Sequence, residues 1–461
     1  MLRLRTIILF LGDLFVLVAA YILTTVLLRK VGVLPPMDLD LFLFLENGAL
    51  EVLLVAGTIA VGLYLLGLYD RIRVDSTWSL VQDFLFVFGA AFLVQAFVTY
   101  VRSSLVLPRW SMLIGSVVAA IALIYWRWFY SQLIVRRSGK QRVLFLGDTP
   151  LVRRVASFID QSPERGYEVI GCISSAAAED FPGGPAIPLA EDLYAEIQAL
   201  RPDRICVAGS DELDEEIRQQ LLICSMAGLN VESVGNLHEL LFERVAIETV
   251  TLNQLVYSPS FRPRVSVTAF QEIYGRLVAL IGILLTWPLM LIAAIAVKLE
   301  SGSPVLFRQM RLGKNGVPFV FLKFRSMHVD ADKRAGGPTR ATENDPRITF
   351  VGKWIRLTRI DELPQFFNVL RGEMTLVGPR PEMPEFEGEL VKQIPLYTQR
   401  HRVKPGITGW AQIHHEPEDS IANTVRKLEY DLYYIKHMSP LLDFLTMLHT
   451  VRAIIFRIGA R

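Results

Sequence analysis

The chain has 461 residues, 52% of them hydrophobic, and a mean hydropathy of +0.36, which excludes an ordinary soluble protein and points to a membrane protein of two or three domains. The net charge of +2 gives no general affinity for nucleic acid. Cys172, Cys206 and Cys224 form no Cys-x-x-Cys pair, which speaks against a disulfide framework or a cysteine metal site and for buried free thiols.

Leu4 to Leu28 is apolar enough to span a bilayer and too long for a cleaved signal peptide. Further apolar runs follow at Ala49 to Tyr69, Leu80 to Val101 and Trp110 to Val135, so residues 1–138 read as four transmembrane helices. Arg3 and Arg5 precede the first, Arg71 and Arg73 follow the second, and Arg136, Arg137, Lys140 and Arg142 follow the fourth. Arg29, Lys30, Arg102 and Arg109 occupy the other loops. The excess puts the N-terminus and everything after the fourth run on the cytoplasmic face. Asp13, inside the first run, is either a functional intramembrane charge or a residue facing a neighbouring helix or the interface.

Residues 139–258 alternate strands and helices. Arg142 to Gly147, Tyr167 to Ile173 and Arg204 to Gly209 read as buried strands; Leu151 to Ile159, Leu193 to Leu200 and Glu215 to Ala227 read as helices. This is the pattern of a doubly wound, Rossmann-like α/β domain. Its phosphate fingerprint is reduced to Gly147-Asp-Thr-Pro, without the second glycine, so a regulatory or scaffolding role is expected ahead of dinucleotide binding.

Residues 259–461 form the third part. The apolar run Leu277 to Val297 carries Thr286-Trp287-Pro288 at its middle, where proline removes a helical hydrogen bond. Basic residues flank both ends: Arg262, Arg264 and Arg276 before, Lys298, Arg308, Arg311, Lys314, Lys323 and Arg325 after. A helix that enters the membrane, breaks at Pro288 and returns to the same face satisfies both; a plain kinked fifth span is the alternative. A hairpin turn at Gly313 to Gly316 is expected next. The strand Phe319 to Met327 then sends Lys323 and Arg325 to the face opposite Phe324, and Asp330 to Pro346 reads as a polar loop.

Asp361 and Glu362 open a segment in which Leu363, Phe366, Phe367 and Leu370 recur with helical spacing, and Pro364 suits only a first turn. Asp361 thus reads as an N-cap or first-turn residue, kept ionised by the helix dipole at ~0.3–1 kcal/mol. Arg356, Arg359, Arg371 and Arg380 lie nearby, the last in the rigid turn Gly378-Pro-Arg-Pro381, and Arg400, Arg402 and Lys404 precede Pro405-Gly-Ile-Thr-Gly-Trp-Ala-Gln412. Carboxylates among arginines on turns suit a phosphate ester with a divalent cation, and a carboxylate can itself take a phosphoryl group. An ordinary capping aspartate in a solvated salt-bridge network is the bland alternative. His401, His414, His415, His437 and His449 have no metal-ligand spacing, and Leu441 to Ile458 suits a helix at the membrane surface, a packed terminal helix or a dimer contact.

Together, Lys298-Leu-Glu-Ser-Gly-Ser-Pro304, Phe321-Leu-Lys-Phe-Arg-Ser-Met327, Asp361-Glu-Leu-Pro-Gln365, Gly378-Pro-Arg-Pro381 and Lys404-Pro-Gly-Ile-Thr-Gly-Trp410 closely resemble the bacterial sugar transferase family of monotopic phosphoglycosyl transferases, over about Phe270 to the C-terminus. With the four preceding runs and the middle domain, the chain resembles the large form of that family, the undecaprenyl-phosphate glucose or galactose phosphotransferases that begin exopolysaccharide or O-antigen assembly. The resemblance implies an α+β catalytic domain with a re-entrant helix at a bacterial inner membrane. It implies that Asp361 attacks the sugar-bearing phosphate of a UDP-sugar, releases UMP, and passes the phosphosugar to undecaprenyl phosphate. Glu362 would act as metal ligand or base, Asp361 and Glu362 would meet Mg²⁺, and Lys323, Arg325, Arg356 and Arg380 would contact phosphate. The family often places Ser-Pro at the helix break, where this chain has Trp287-Pro288. A catalytically silent scaffold or nucleotide sensor, and a transporter, are the competing readings. The sugar is not marked by any motif, and a homodimer stays open.

Overall fold

The computed structural model describes residues 2–36, 42, 47–66, 68–69, 77–101, 107–130, 140–174, 180–209, 214–251, 254, 257, 261–329, 331, 345–394, 396–414 and 420–455. It divides into two compact units, Met1–Val234 and Gly235–Arg461. Arg71, Arg73, Arg102, Arg136, Arg137, His415 and nearly all of the expected loop Asp330 to Pro346 lie outside the described residues.

The first unit begins with four apolar helices, α1 (Leu2–Lys30), α2 (Gly48–Leu65), α3 (Thr77–Val101) and α4 (Arg109–Phe129). By length and composition α1, α2 and α4 can cross a membrane, and the described apolar stretch of α3 is the shorter Asp83–Val98. Leu17, Tyr21, Val55, Ile59, Leu63, Val87 and Leu123 share one buried core. Tyr21 OH lies 2.7 Å from Ser116 Oγ. Of the two sequence readings of Asp13, the structure has the carboxylate face a neighbouring helix: Arg127 Nη2 of α4 donates to Asp13 Oδ2 at 2.6 Å and Nη1 donates to Leu68 O at 2.9 Å. Both side chains are buried, and a charge in an apolar bundle persists only when paired.

The same unit holds a parallel sheet of β1 (Gln141–Leu146), β2 (Tyr167–Ser174), β3 (Ala186–Pro188), β4 (Arg204–Val207) and β5 (Asn230–Ser233) in the order β3-β2-β1-β4-β5. The helices α5 (Pro150–Gln161), α6 (Leu193–Leu200) and α7 (Glu215–Met226) connect the strands. Two strands, β3 and β5, are too short and too little apolar for the sequence pattern to reveal. In the turn after β1, Gly147 has φ 92° and Thr149 Oγ1 accepts from Val152 N. Asp148 there is held by Arg153, whose Nε and Nη2 donate to its two oxygens at 2.7 and 2.6 Å. All three cysteines are free and buried, as expected.

In the second unit the run around Pro288 becomes a helix of 37 residues, Val265–Ser301. Pro288 does not end it: helical backbone continues on both sides, a correction to the expected break. One missing hydrogen bond is tolerated where flanking turns are packed, and here Ala279 packs on Phe319, Phe321 and Val369, while Ala293 and Val297 pack on Phe324 and Ile355. The antiparallel pair β6 (Leu306–Leu312) and β7 (Pro318–Phe324) turns through Lys314–Gly316, as the hairpin pattern predicts. Two short helices, Phe350–Leu357 and Gln365–Leu370, flank the segment bearing Asp361. The parallel pair β8 (Thr375–Val377) and β9 (Gly406–Thr408) follows. Gly378 and Gly406 are needed here, because a Cβ on Gly378 would lie 2.6 Å from Lys404 O and one on Gly406 would meet Gly378 N. The helices Ile421–His437 and Pro440–Ile455 close the unit. Asp443, in the last, accepts from Gln271, Tyr274 and Tyr434 at 2.7 Å each, which ties that helix to the long one.

Candidate active site

Asp361 lies in a 3₁₀ turn, Ile360–Glu362, entered through Arg359 at φ 58°. Leu363 and Pro364 keep helical dihedrals, so the turn runs on into Gln365–Leu370. Asp361 therefore stands one turn before the N-cap of that helix, Pro364, and not at the cap or in the first turn where the sequence pattern places it. Pro364 stands at the N-cap position because the helix needs no amide hydrogen from it.

Three cations from separate segments converge on Glu362 Oε1: Arg380 Nη2 at 3.4 Å, Lys323 Nζ at 3.6 Å and Arg359 Nη1 at 3.6 Å. Lys323 Nζ is also 3.9 Å from Asp361 Oδ2. Arg356 and Arg359 add positive potential at Asp361. Lys323 comes from β7, Arg380 from the Gly378–Pro381 turn, and Arg356 from the helix Phe350–Leu357. That helix starts by two caps: Thr349 Oγ1 accepts from Gly352 N, and the Glu300 carboxylate accepts from Val351 N.

Of the residues that sequence reasoning selected, Asp361, Glu362, Lys323, Arg356 and Arg380 come together. Arg325 is engaged elsewhere. It lies past the end of β7, and its Nη2 donates to Ser301 O at 2.8 Å, Ser301 Oγ at 2.9 Å and Gly302 O at 2.7 Å. It thereby caps the orphan carbonyls at the end of the long helix. Strand alternation placed it with Lys323, and the strand ends one residue too soon for that. Pro288 lies within the long helix, amid exposed Leu284, Leu285 and Trp287.

Burial pushes Asp361 above its ordinary value; the Lys323 charge pulls it back only in part, and Glu362 pushes it further up. This is opposite in direction to the dipole argument, because the helix end is short and the carboxylate is dehydrated. For Glu362, burial acts upward, but Lys323, Arg380 and Arg359 outweigh it and bring the carboxyl down to about 2. Burial lowers Lys323, and its carboxylate neighbours restore only part of the loss.

Asp361 Oδ1 is buried and has no hydrogen-bond partner. Among the described residues no cluster of three or more His, Cys, Asp or Glu could hold a metal alone. A carboxylate oxygen left over, beside a second carboxylate, nevertheless fits Mg²⁺, which takes one or two protein carboxylates and completes its shell from substrate phosphates and water.

Sequence reasoning named Arg400 only as one cation of a basic turn and left Asn368 out. Arg400 is fully buried: its Nη2 donates to Arg380 O at 3.0 Å and pairs with Asp431 Oδ2 at 2.8 Å, its Nη1 donates to Tyr397 OH at 2.8 Å, and it thus fixes the turn that carries Arg380. Asn368 accepts from Leu322 N at 3.1 Å and donates to Val320 O at 2.7 Å, binding the edge of β7 next to Lys323. Nothing local distinguishes either residue from a solvated polar one.

A family model described as bacterial sugar transferase matches residues 267–457. The UDP-N-acetylgalactosamine-undecaprenyl-phosphate N-acetylgalactosaminephosphotransferase of Aeromonas hydrophila is 41% identical over 267 residues, 58% of this chain and 62% of that one, so the chain covers less than two thirds of that relative. The UDP-glucose:undecaprenyl-phosphate glucose-1-phosphate transferase of Xanthomonas campestris pv. campestris is 35% identical over 339 residues, 71% of this chain and 69% of the relative. The transferase of the same name from Escherichia coli (strain K12) is 33% identical over 324 residues, 68% and 67% of the two chains. With one family matched along the catalytic unit and by relatives over most of its length, the chain belongs to the bacterial sugar transferase family.

Proposed function

We propose that this protein transfers a sugar 1-phosphate from a UDP-sugar to undecaprenyl phosphate, releasing UMP, with Asp361 as covalent nucleophile. The observation that carries the reading is the Asp361 carboxylate itself, buried beside Lys323 with one oxygen unpartnered. The names of the relatives supply the donor and acceptor classes. In the first step an Asp361 oxygen bonds to the sugar-bearing phosphorus, the bond from that phosphorus to the UMP oxygen breaks, and UMP leaves with the electron pair. In the second, an oxygen of undecaprenyl phosphate attacks the same phosphorus and the Asp361 carboxylate is regenerated.

Lys323, Arg356 and Arg380 neutralise phosphate oxygens as charge shifts to the leaving group. Arg325, held by Ser301 and Gly302 at the end of the long helix, is left out of this set. Asp361 and Glu362 would hold Mg²⁺, which when bound offsets phosphate charge. Glu362 stays ionised across the working pH range and keeps Lys323, Arg359 and Arg380 facing one point.

The long helix is read as re-entrant by bending at Pro288 without interruption of the helix, its middle in the bilayer and both ends on one face. This is supported by its contacts: Gln271 donates to Tyr434 and Asp443, and Val297 packs with Ile355, so both ends belong to the same compact unit. A straight span of this length, ~55 Å, would carry one end away. The active site then meets a lipid phosphate at headgroup level, on the cytoplasmic face of the inner membrane that the basic loops favour. The strand order of the middle domain supports a Rossmann-like fold, and the proposed parts are 1–138, 139–258 and 259–461.

The test is mass spectrometry of the purified protein after incubation with a UDP-sugar and Mg²⁺ without lipid. A phosphosugar adduct on the peptide containing Asp361, absent from Asp361→Asn, is the expected result. UMP release that needs the lipid acceptor, with no adduct, would replace the covalent route by direct transfer.

A further inference from the structure

Asp361, Gln365 and Asn368 follow one another along one stretch of helical dihedrals, 3₁₀ around Asp361, with i→i−3 bonds from Glu362, Leu363, Phe366 and Phe367, and α-helical from Gln365. All three are buried polar residues, at 6%, 1% and 0% exposure. Asp361 faces Lys323, and Asn368 is tied to the backbone of Leu322 and Val320. Gln365 stands between them in the chain, about one turn from each. Yet Gln365 Nε2 is buried with no hydrogen-bond partner, and so is Asp361 Oδ1 one turn before it.

A dehydrated amide donor about one turn from a dehydrated carboxylate acceptor, neither satisfied and not bonded to each other, is an arrangement that awaits a third group. That group must accept from nitrogen on one side and bond to oxygen on the other. A tetrahedral phosphoryl group attached to the carboxylate does both. We propose that Gln365 binds the phosphoryl group during its transfer to and from Asp361, donating from Nε2 to a non-bridging phosphoryl oxygen. The inference rests on the covalent reading above and adds a neutral donor to its cations. No proton moves: the bond formed is Asp361 oxygen to phosphorus, the bond broken is phosphorus to the UMP oxygen, and the Gln365 hydrogen bond strengthens as the oxygens gain charge. A neutral amide suits this position because a fourth cation would bind the Asp361 carboxylate itself and tie up the nucleophile.

The experiment compares wild type, Gln365→Leu and Gln365→Glu as full-length protein in detergent with undecaprenyl phosphate and UDP-glucose, UDP-galactose or UDP-N-acetylgalactosamine, following UMP. Gln365→Leu should lower kcat about 100-fold and leave KM for the UDP-sugar within about threefold, the mark of an interaction made in the transition state. Its thermal midpoint should not fall, since the variant removes an unsatisfied buried donor. In Gln365→Glu the rate relative to wild type should rise as pH falls, because the introduced carboxyl becomes a donor only when protonated. For a purely structural glutamine the Gln365→Glu rate and thermal midpoint would recover together in acid; recovery of kcat with an unchanged midpoint marks the phosphoryl contact. Wild-type kcat in Gln365→Leu, or no acid rescue in Gln365→Glu, overturns the inference and leaves the covalent reading standing. No UMP from wild type with any donor overturns that reading and this inference with it.

Discussion

Lys323 Nζ lies 3.9 Å from Asp361 Oδ2, too far for a hydrogen bond, so the lysine holds the carboxylate by charge and Oδ1 is buried without a partner. A nucleophile needs that arrangement, since a carboxylate locked by short hydrogen bonds is a poor attacking group.

The pH dependence of UMP release should be narrowed at both limbs. Asp361 acts as the carboxylate, and its raised value means the rate falls, as pH is lowered, before an ordinary aspartate with value 3.8 would protonate. Lys323 acts as the ammonium, and its lowered value means the rate falls, as pH rises, before an ordinary lysine at 10.5 would lose its proton. Lys323→Arg should abolish the alkaline limb, because a guanidinium stays charged. An acid limb at or below the ordinary aspartate range would contradict the burial argument.

Glu362→Gln should move the acid limb to lower pH, since the Glu362 charge is one cause of the raised Asp361. It should also lower stability, by leaving three cations facing one another. A carboxyl depressed to about 2 contributes stability that is fully present above its unfolded value and is lost as pH falls through about 2. The difference in unfolding free energy between wild type and variant should therefore shrink from neutral pH toward pH 2. A difference independent of pH would show that the lost stability is packing.

Replacing Asn368 with leucine removes the partner of the buried Leu322 N and of the part-buried Val320 O. At about 1–3 kcal/mol for each such group, Asn368→Leu should destabilise the second unit by about 2–4 kcal/mol and lower kcat/KM by loosening Lys323. Asn368→Asp keeps the acceptor for Leu322 N but sets a carboxylate beside Glu373, which now accepts from Asn368 Nδ2, and should be worse. Denaturation midpoints of the two variants check the order.

In the helical bundle, Asp13→Asn or Arg127→Met breaks a buried pair and should cost about 3–5 kcal/mol. The double variant should lose less than either single change, because neither partner is then left charged in apolar surroundings. Thermal unfolding of the four proteins in one detergent gives the coupling, and additive losses would mean that the pair is not an energetic unit.

The sequence by itself determined the elements and the composition of the site. Apolar runs marked α1, α2 and α4, alternation marked β7, and Pro364 with the spacing of Leu363, Phe366 and Leu370 marked the helix after Asp361. These signals are local, because helix and strand periods and the φ constraint of proline act within one or two turns. Tertiary structure decided which side chains meet. Lys323, Arg359 and Arg380 reach one oxygen of Glu362 from three segments, while Arg325, two residues from Lys323, turns to cap Ser301 and Gly302. Asp13 finds Arg127, 114 residues away. Gln365 ends the Asp361-Glu-Leu-Pro-Gln365 motif, but only burial shows that its amide is left without a partner. Whether a polar group is hydrated, paired or left open depends on what packs around it, and that is a property of the folded chain alone.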